Sequence, residues 1–254
     1  MNILLTNDDG FGALGLTELI RRLAPKHELF VSAPDGQRSA VSKSLTLYQP
    51  LRAERRAVEG YPMVTAYAVS GTPVDCVRLA LGNLVTVQPD VCISGINVGH
   101  NLGTDTLYSG TCAGASEASV RGIPSIAVSC CSFHPNHMDV AARVAEEMLS
   151  FLKAHPLPFG SFYNVNVPDK PYEQLKGIRR ADLGILEYET EYIARVDSIG
   201  KPYFWAPRRK LDKQVVENTD EYWTERGYVT LTPLTFNAVC PKAADMEDFW
   251  ELEG

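Results

Sequence analysis

The chain has 254 residues, 45% of them hydrophobic and 22% charged, proportions of a folded chain that exclude intrinsic disorder. Its formal net charge of -7 excludes a broad nucleic-acid-binding surface, which needs clustered Lys and Arg, but leaves room for a small phosphate ester. No apolar run approaches the roughly eighteen residues of a membrane span, and no basic-then-apolar leader opens the sequence, so a cytoplasmic location is expected.

NILLTN reads as a buried strand. Two adjacent carboxylates, Asp8 and Asp9, close it ahead of Gly10, Gly12 and Gly15. The pair repels itself unless a cation lies between; the alternative is a turn with a helix cap. Leu14, Leu16, Leu19, Ile20 and Leu23 then share one helical face, ending near Pro25. ELFVSAP is a second strand, followed by the polar loop DGQRSAVSKS and short extended pieces up to Gly71. Thr72 and Pro73 open a helix. PDVCISG is a strand with a long loop after it, and a small-residue helix runs from about Ser109 to Val120. Strand PSIAVSC, an amphipathic helix over about Met138–Lys153 and strand FYNVNVP complete the alternation.

Repeated strand–helix–strand units predict an α/β fold, a Rossmann-like, doubly wound, mostly parallel sheet. Ligands in such sheets bind beyond the carboxyl ends of the strands, which gathers Asp8, Asp9, Ser39 and the loop after Ser94 at one edge. After Pro168 the rhythm changes. Aromatic-rich pieces around Gly200-Lys201-Pro202 predict an extended β-hairpin arm. Too narrow to bury itself, it lies either on a partner subunit or back on its own core. The reading divides the chain into residues 1–168, an α/β core with the metal and phosphate sites, and residues 169–254, an arm and oligomerisation region that completes the same domain.

Cys76, Cys92, Cys112, Cys130, Cys131 and Cys240 mostly lie in apolar runs and form no Cys-x-x-Cys pair, so they are expected to be structural thiols. His134 and His137 flank loop residues and are not expected to bind metal. No histidine or lysine identifies itself as a general acid.

The segment SGINVGHNLGTDTLYSGTCAGASEA carries the most chemistry. Its glycines permit tight curvature, while Asn97, Asn101 and Asp105 add polar groups. Tyr108-Ser109-Gly110-Thr111 opens a helix of small residues, whose exposed N–H groups suit an oxyanion. Ser109 and Thr111 could equally be plain helix caps. The segment is neither a Walker A loop nor a dinucleotide fingerprint. Two carboxylates, an amide oxygen and a hydroxyl are hard ligands that suit Mg²⁺ or Mn²⁺ rather than zinc. Such a site favours hydrolysis of a phosphomonoester by metal-activated water.

The blocks TNDDGFGALGL, APDGQRS, VSGTPVDCV, PDVCISGINVGHNLGTDTLYSGT, GIPSIAVS, NVNVPD and GYVTLTPL resemble, in order, the signature of the SurE family of stationary-phase survival proteins, which are 5'-nucleotidases. The resemblance implies a divalent-metal-dependent phosphomonoesterase acting on nucleoside 5'-monophosphates, with 3'-monophosphates and short polyphosphate as further candidate substrates. It implies one metal ion per subunit, held by Asp8, Asp9, Ser39 and Asn97, with Asp8, Asp9 and Asn97 catalytic. Asn101, Ser109, Gly110 and Thr111 would hold the phosphate. A homodimer or homotetramer through the C-terminal arm is implied too, with no nucleic-acid or membrane partner. The chain departs mildly from the pattern: RSAVSKS stands where glycine and serine usually follow the ligand serine, His100 replaces a smaller residue, and Cys112 replaces valine.

A response-regulator receiver also uses an acid pair to bind Mg²⁺. It needs a phosphoacceptor Asp ending its third strand and a Lys ending its fifth, where this chain has Ser94-Gly95 and PSIAVSCC. An aspartyl-phosphate phosphatase alternates its acids as Asp-x-Asp, whereas adjacent side chains diverge in extended backbone.

Overall fold

Alternation within the first strand shows how the layers assemble. In the computed structural model, which describes residues 1–207, 209–212 and 214–236, β1 (Asn2–Thr6) points Ile3 and Leu5 to one face and Leu4 to the other. Ile3 and Leu5 pack with α1 (Leu14–Leu23), whose Leu16, Leu19, Ile20 and Leu23 form its buried stripe. The next elements are β2 (Glu28–Pro34), β3 (Ala53–Arg55), β4 (Thr65–Val69) and α2 (Pro73–Leu79). The central unit comprises β5 (Val91–Val98), α3 (Gly110–Val120), β6 (Ser125–Cys130), α4 (Met138–Ala154) and β7 (Ser161–Val167).

The sheet has nine strands, in the order β3-β4-β2-β1-β5-β6-β7, continued by β11 (Val229–Thr235) and β8 (Ile178–Arg180). The run from β4 to β7 is parallel. Antiparallel pairings join β3 to β4 and β11 to β7. Helices α1 and α4 cover the face of Ile3 and Leu5, while α2 and α3 cover the face of Leu4. This is the expected mostly parallel α/β fold, with strands buried on both faces.

Two differences from the sequence reading bear on the site. The strand predicted as PDVCISG continues to Val98, with a register shift against β6 between Ser94 and Asn97. Asn97 therefore sits at a strand end, held by the ladder, rather than in a free loop. The chain after β7 also returns to the main sheet through β8 and β11 before and after the arm. The arm itself is β9 (Ile193–Val196) paired antiparallel with β10 (Pro202–Trp205), and α5 (Asp220–Glu225) precedes β11.

Among the described residues the cysteines are free, with Cys76, Cys92, Cys112 and Cys130 buried; Cys240 lies outside the described residues. No helix among the described residues is long and apolar enough to cross a membrane.

Candidate active site

The turn after β1 explains how two neighbouring carboxylates are held. Asn7 spans it: its amide nitrogen donates to the Gly10 carbonyl at 2.9 Å, and its amide oxygen accepts from the Gly10 N–H at 3.2 Å. Gly10 has a φ of 103°, a left-handed value that side chains resist. Asp8 and Asp9 are displayed between the clamped ends. Neither caps the next helix, because α1 has Ala13 at its N-cap and no side-chain cap there.

Asp8 is 6% exposed. Its Oδ1 accepts the Thr111 hydroxyl at 2.6 Å. A Cβ at Gly110 would stand 2.7 Å from Asp8 Cβ and 2.9 Å from its Oδ2, so only glycine lets the start of α3 come this close. Burial pushes the Asp8 pKa up to about 6, with the Thr111 hydroxyl opposing the shift and the negative charge of Asp9 adding to it. Burial also raises Asp9, against hydrogen bonds from the Val98 N–H, at 3.0 Å from Oδ2, and from Gln37. Among the described residues no Lys, Arg or His forms an ion pair with either carboxylate.

These observations test the fit of a metal ion. One buried and one half-buried hard-oxygen anion without a compensating cation among the described residues make a donor set that a divalent ion satisfies. No group of three or more His, Cys, Asp or Glu side chains suited to a metal occurs among the described residues, so neutral oxygens and water would complete the shell. Asn97 donates its Nδ2 to the Gly99 carbonyl at 2.9 Å, which turns its Oδ1, the hard donor, the other way. Ser39 is exposed in the turn after β2. It follows Arg38, whose backbone N–H donates to the Asp8 carbonyl at 2.7 Å. The donor chemistry fits Mg²⁺ or Mn²⁺.

At the start of α3, Ser109 is the N-cap, its Oγ accepting from the Cys112 N–H at 3.0 Å. Thr111 turns its hydroxyl to Asp8 instead. The structure thus brings Asp8, Gly110 and Thr111 into contact, with Asp9 bonded to the end of β5 and the Ser39 turn bonded to Asp8.

Asn101 lies in a separate buried network. Its Nδ2 donates to Ser129 Oγ at 2.8 Å and its N–H to Asn166 Oδ1 at 2.9 Å. Its carbonyl accepts from Asn164 and Asn166 at 2.8 and 3.0 Å. The sequence reading did not single out Ser129, Asn164 or Asn166. The available signal is NVNV in β7, where polar residues repeat at every second position of a strand that should be wholly apolar. Asp220 was missed as well: its carboxylate accepts from the Gly103 N–H at 2.7 Å and the Gly184 N–H at 2.9 Å. It ties the turn ahead of α3 to the root of the arm, aided by Thr104 on the Leu186 carbonyl at 2.6 Å and Tyr188 on Asp105 at 2.8 Å.

The family model "Survival protein SurE" matches residues 3–190. The chain is 45% identical to the 5'-nucleotidase SurE of Synechococcus elongatus, covering 93% of this chain and 94% of the relative. It is 43% identical to that of Aeromonas hydrophila subsp. hydrophila, with 93% of each covered. Its structure is similar to the crystal structure of the SurE protein from Aquifex aeolicus, with a TM-score of 0.80, 34% identity and 96% of each chain covered.

Proposed function

The chain belongs to the survival protein SurE family, and from that premise we propose that Asp8, Asp9, Ser39 and Asn97 hold a divalent metal ion at which nucleoside 5'-monophosphates are hydrolysed to nucleoside and phosphate. The chain is a 5'-nucleotidase, a hydrolase of phosphomonoesters, as its relatives are. The observation that carries the metal assignment is the Asp8–Asp9 pair, Asp8 buried and pressed against Gly110, Asp9 half-buried, with no cationic partner for either among the described residues.

When bound, the cation would supply Lewis acidity to a phosphoryl oxygen and lower the pKa of water. The protein's own groups do the rest. Asp8 and Asp9 provide the anionic donors, and Thr111 fixes the Asp8 carboxylate in one orientation through its 2.6 Å hydrogen bond. The first turn of α3 offers backbone N–H groups and the positive end of a helix dipole to phosphoryl oxygens. Ser109 shapes that turn as its cap, and Gly110 keeps it open to close approach. Asn101, braced by Ser129, Asn164 and Asn166, holds the connecting loop in one path. The same chemistry extends to 3'-monophosphates and short polyphosphate as candidate substrates.

The arm supports a homodimer or homotetramer. Ile193, Val196, Ile199, Tyr203, Phe204 and Trp205 are all exposed in the single chain, an apolar surface that a second copy would cover. The described part of residues 169–254 then completes one domain with the core, since β8 and β11 pair into the main sheet.

A phosphate-release assay over nucleoside monophosphates, with Mg²⁺, Mn²⁺ or chelator, tests the reading. Release with metal and its loss with chelator are expected. Undiminished release with chelator would overturn the metal assignment.

A further inference from the structure

The donor set around Asp8 contains two carboxylates and no protein cation, yet its ligand is a phosphate dianion. We propose that Lys43 is a substrate-binding residue of this site, its ammonium pairing with the phosphoryl oxygens at the start of α3. The proposal rests on the nucleotidase reading and names a side chain that reading lacks.

Lys43 lies on the loop after β2 that also carries Ser39, and that loop is fastened across the mouth of the site. The Ser42 N–H donates to the Tyr108 carbonyl at 3.0 Å, and its hydroxyl donates to the Leu107 carbonyl at 2.7 Å. The flanking residues are pinned as well: the Ser44 carbonyl accepts from Thr72 Oγ1 at 2.8 Å, and the Thr46 hydroxyl donates to Asp75 at 2.6 Å. Lys43 is therefore held next to the two residues that lead into Ser109.

The loop's path is imposed rather than relaxed. Ala40 and Ser42 have φ values of 54° and 52°, in the left-handed region that non-glycine residues adopt only at a cost. Observed strain of this kind clusters at ligand sites.

The charge of Lys43 is uncommitted. Among the described residues it has no ion-pair partner. Arg38, the other cation of the loop, binds Asp35 at 2.8 Å and the Gly71 carbonyl at 3.3 Å. The Lys43 field reaches the first turn of α3, where it opposes the burial that pushes the Cys112 thiol up to about 12. A lysine is a point charge on a flexible stem with three donors, suited to follow phosphoryl oxygens.

Inorganic phosphate titrated calorimetrically into the Mg²⁺-saturated protein tests the proposal, with Lys43→Met and Lys43→Arg alongside. Because Lys43 is exposed, both variants should melt as the unaltered protein does. Lys43→Met should bind phosphate about tenfold more weakly or worse, with a flattened dependence on ionic strength, while Lys43→Arg retains most of the affinity. KM for a nucleoside monophosphate should rise in step. Equal phosphate affinity in Lys43→Met and the unaltered protein would overturn the proposal, as would no measurable phosphate binding by the latter. A protein that binds phosphate through Lys43 but hydrolyses no nucleotide would overturn the nucleotidase reading and leave Lys43 supported.

Discussion

The hydroxyl of Thr111 donates to Oδ1 of Asp8 at 2.6 Å, joining the first turn of α3 to the end of β1 across 103 positions of sequence. A hydrogen bond to a carboxylate favours its charged form, so Thr111 works against the burial of Asp8. Thr111→Val keeps the shape and removes the donor. The Asp8 pKa should rise further, and Mg²⁺ affinity near neutral pH should fall about tenfold. Thr111→Ser should retain most of it. Metal titrations of the three proteins check this.

The raised pKa of Asp8 has a cost in the metal-free protein. Its unfolded-state value is near 3.8 and its folded value about 6, so the folded form holds the proton more tightly. Stability linked to this group is fully present below about pH 4 and is lost as pH rises through about 6. Asp8→Asn should abolish activity yet stabilise the metal-free fold at neutral pH, by on the order of 1–3 kcal/mol, with the gain shrinking on acidification. Thermal melts in chelator at two pH values measure it.

Asp75 has the opposite sign. Burial raises its pKa, but hydrogen bonds from Thr46 and Thr72 outweigh it and leave the carboxyl below its ordinary value. Its contribution is present above the unfolded pKa and lost as pH falls through the folded one. Asp75 closes the capping box of α2 with Thr72 and also anchors Thr46, at the end of the loop bearing Ser39 and Lys43. Asp75→Asn should cost about 1–2 kcal/mol at neutral pH and raise KM for nucleotide, with the stability difference vanishing in acid. Denaturant melts across pH check the first part and steady-state kinetics the second.

Shortening the arm across Gly200 should yield monomer of lowered stability, since it removes Ile199, which is 73% exposed in the single chain, and its apolar neighbours. Light scattering reads the mass directly. An intact protein that is monomeric at micromolar concentration would contradict the arm's role.

Much of the fold was legible because it is written in local pattern. Ile3, Leu4 and Leu5 declare a strand buried on both faces, and Thr72-Pro73 declares a capped helix. Asp8 and Asp9 stood out because two adjacent carboxylates at the end of a strand repel each other and need a reason. The supports of the site were not legible. Asp220 meets Gly103 over 117 positions, and Asn166 meets Asn101 over 65; no periodicity encodes such pairs, which exist only once the sheet has formed. Lys43 was invisible for the same reason, since its importance lies in what Ser42 binds. The extension of β5 through Asn97 to Val98 follows a register shift that depends on pairing with β6.

The most direct measurement is Mn²⁺ binding followed by electron paramagnetic resonance, which reads the metal without reference to turnover. The unaltered protein should bind one ion per chain, and Asp9→Asn, folded by circular dichroism, should lose that binding. A folded Asp9→Asn protein that binds Mn²⁺ as tightly as the unaltered chain would contradict the assignment of the acid pair as the metal site.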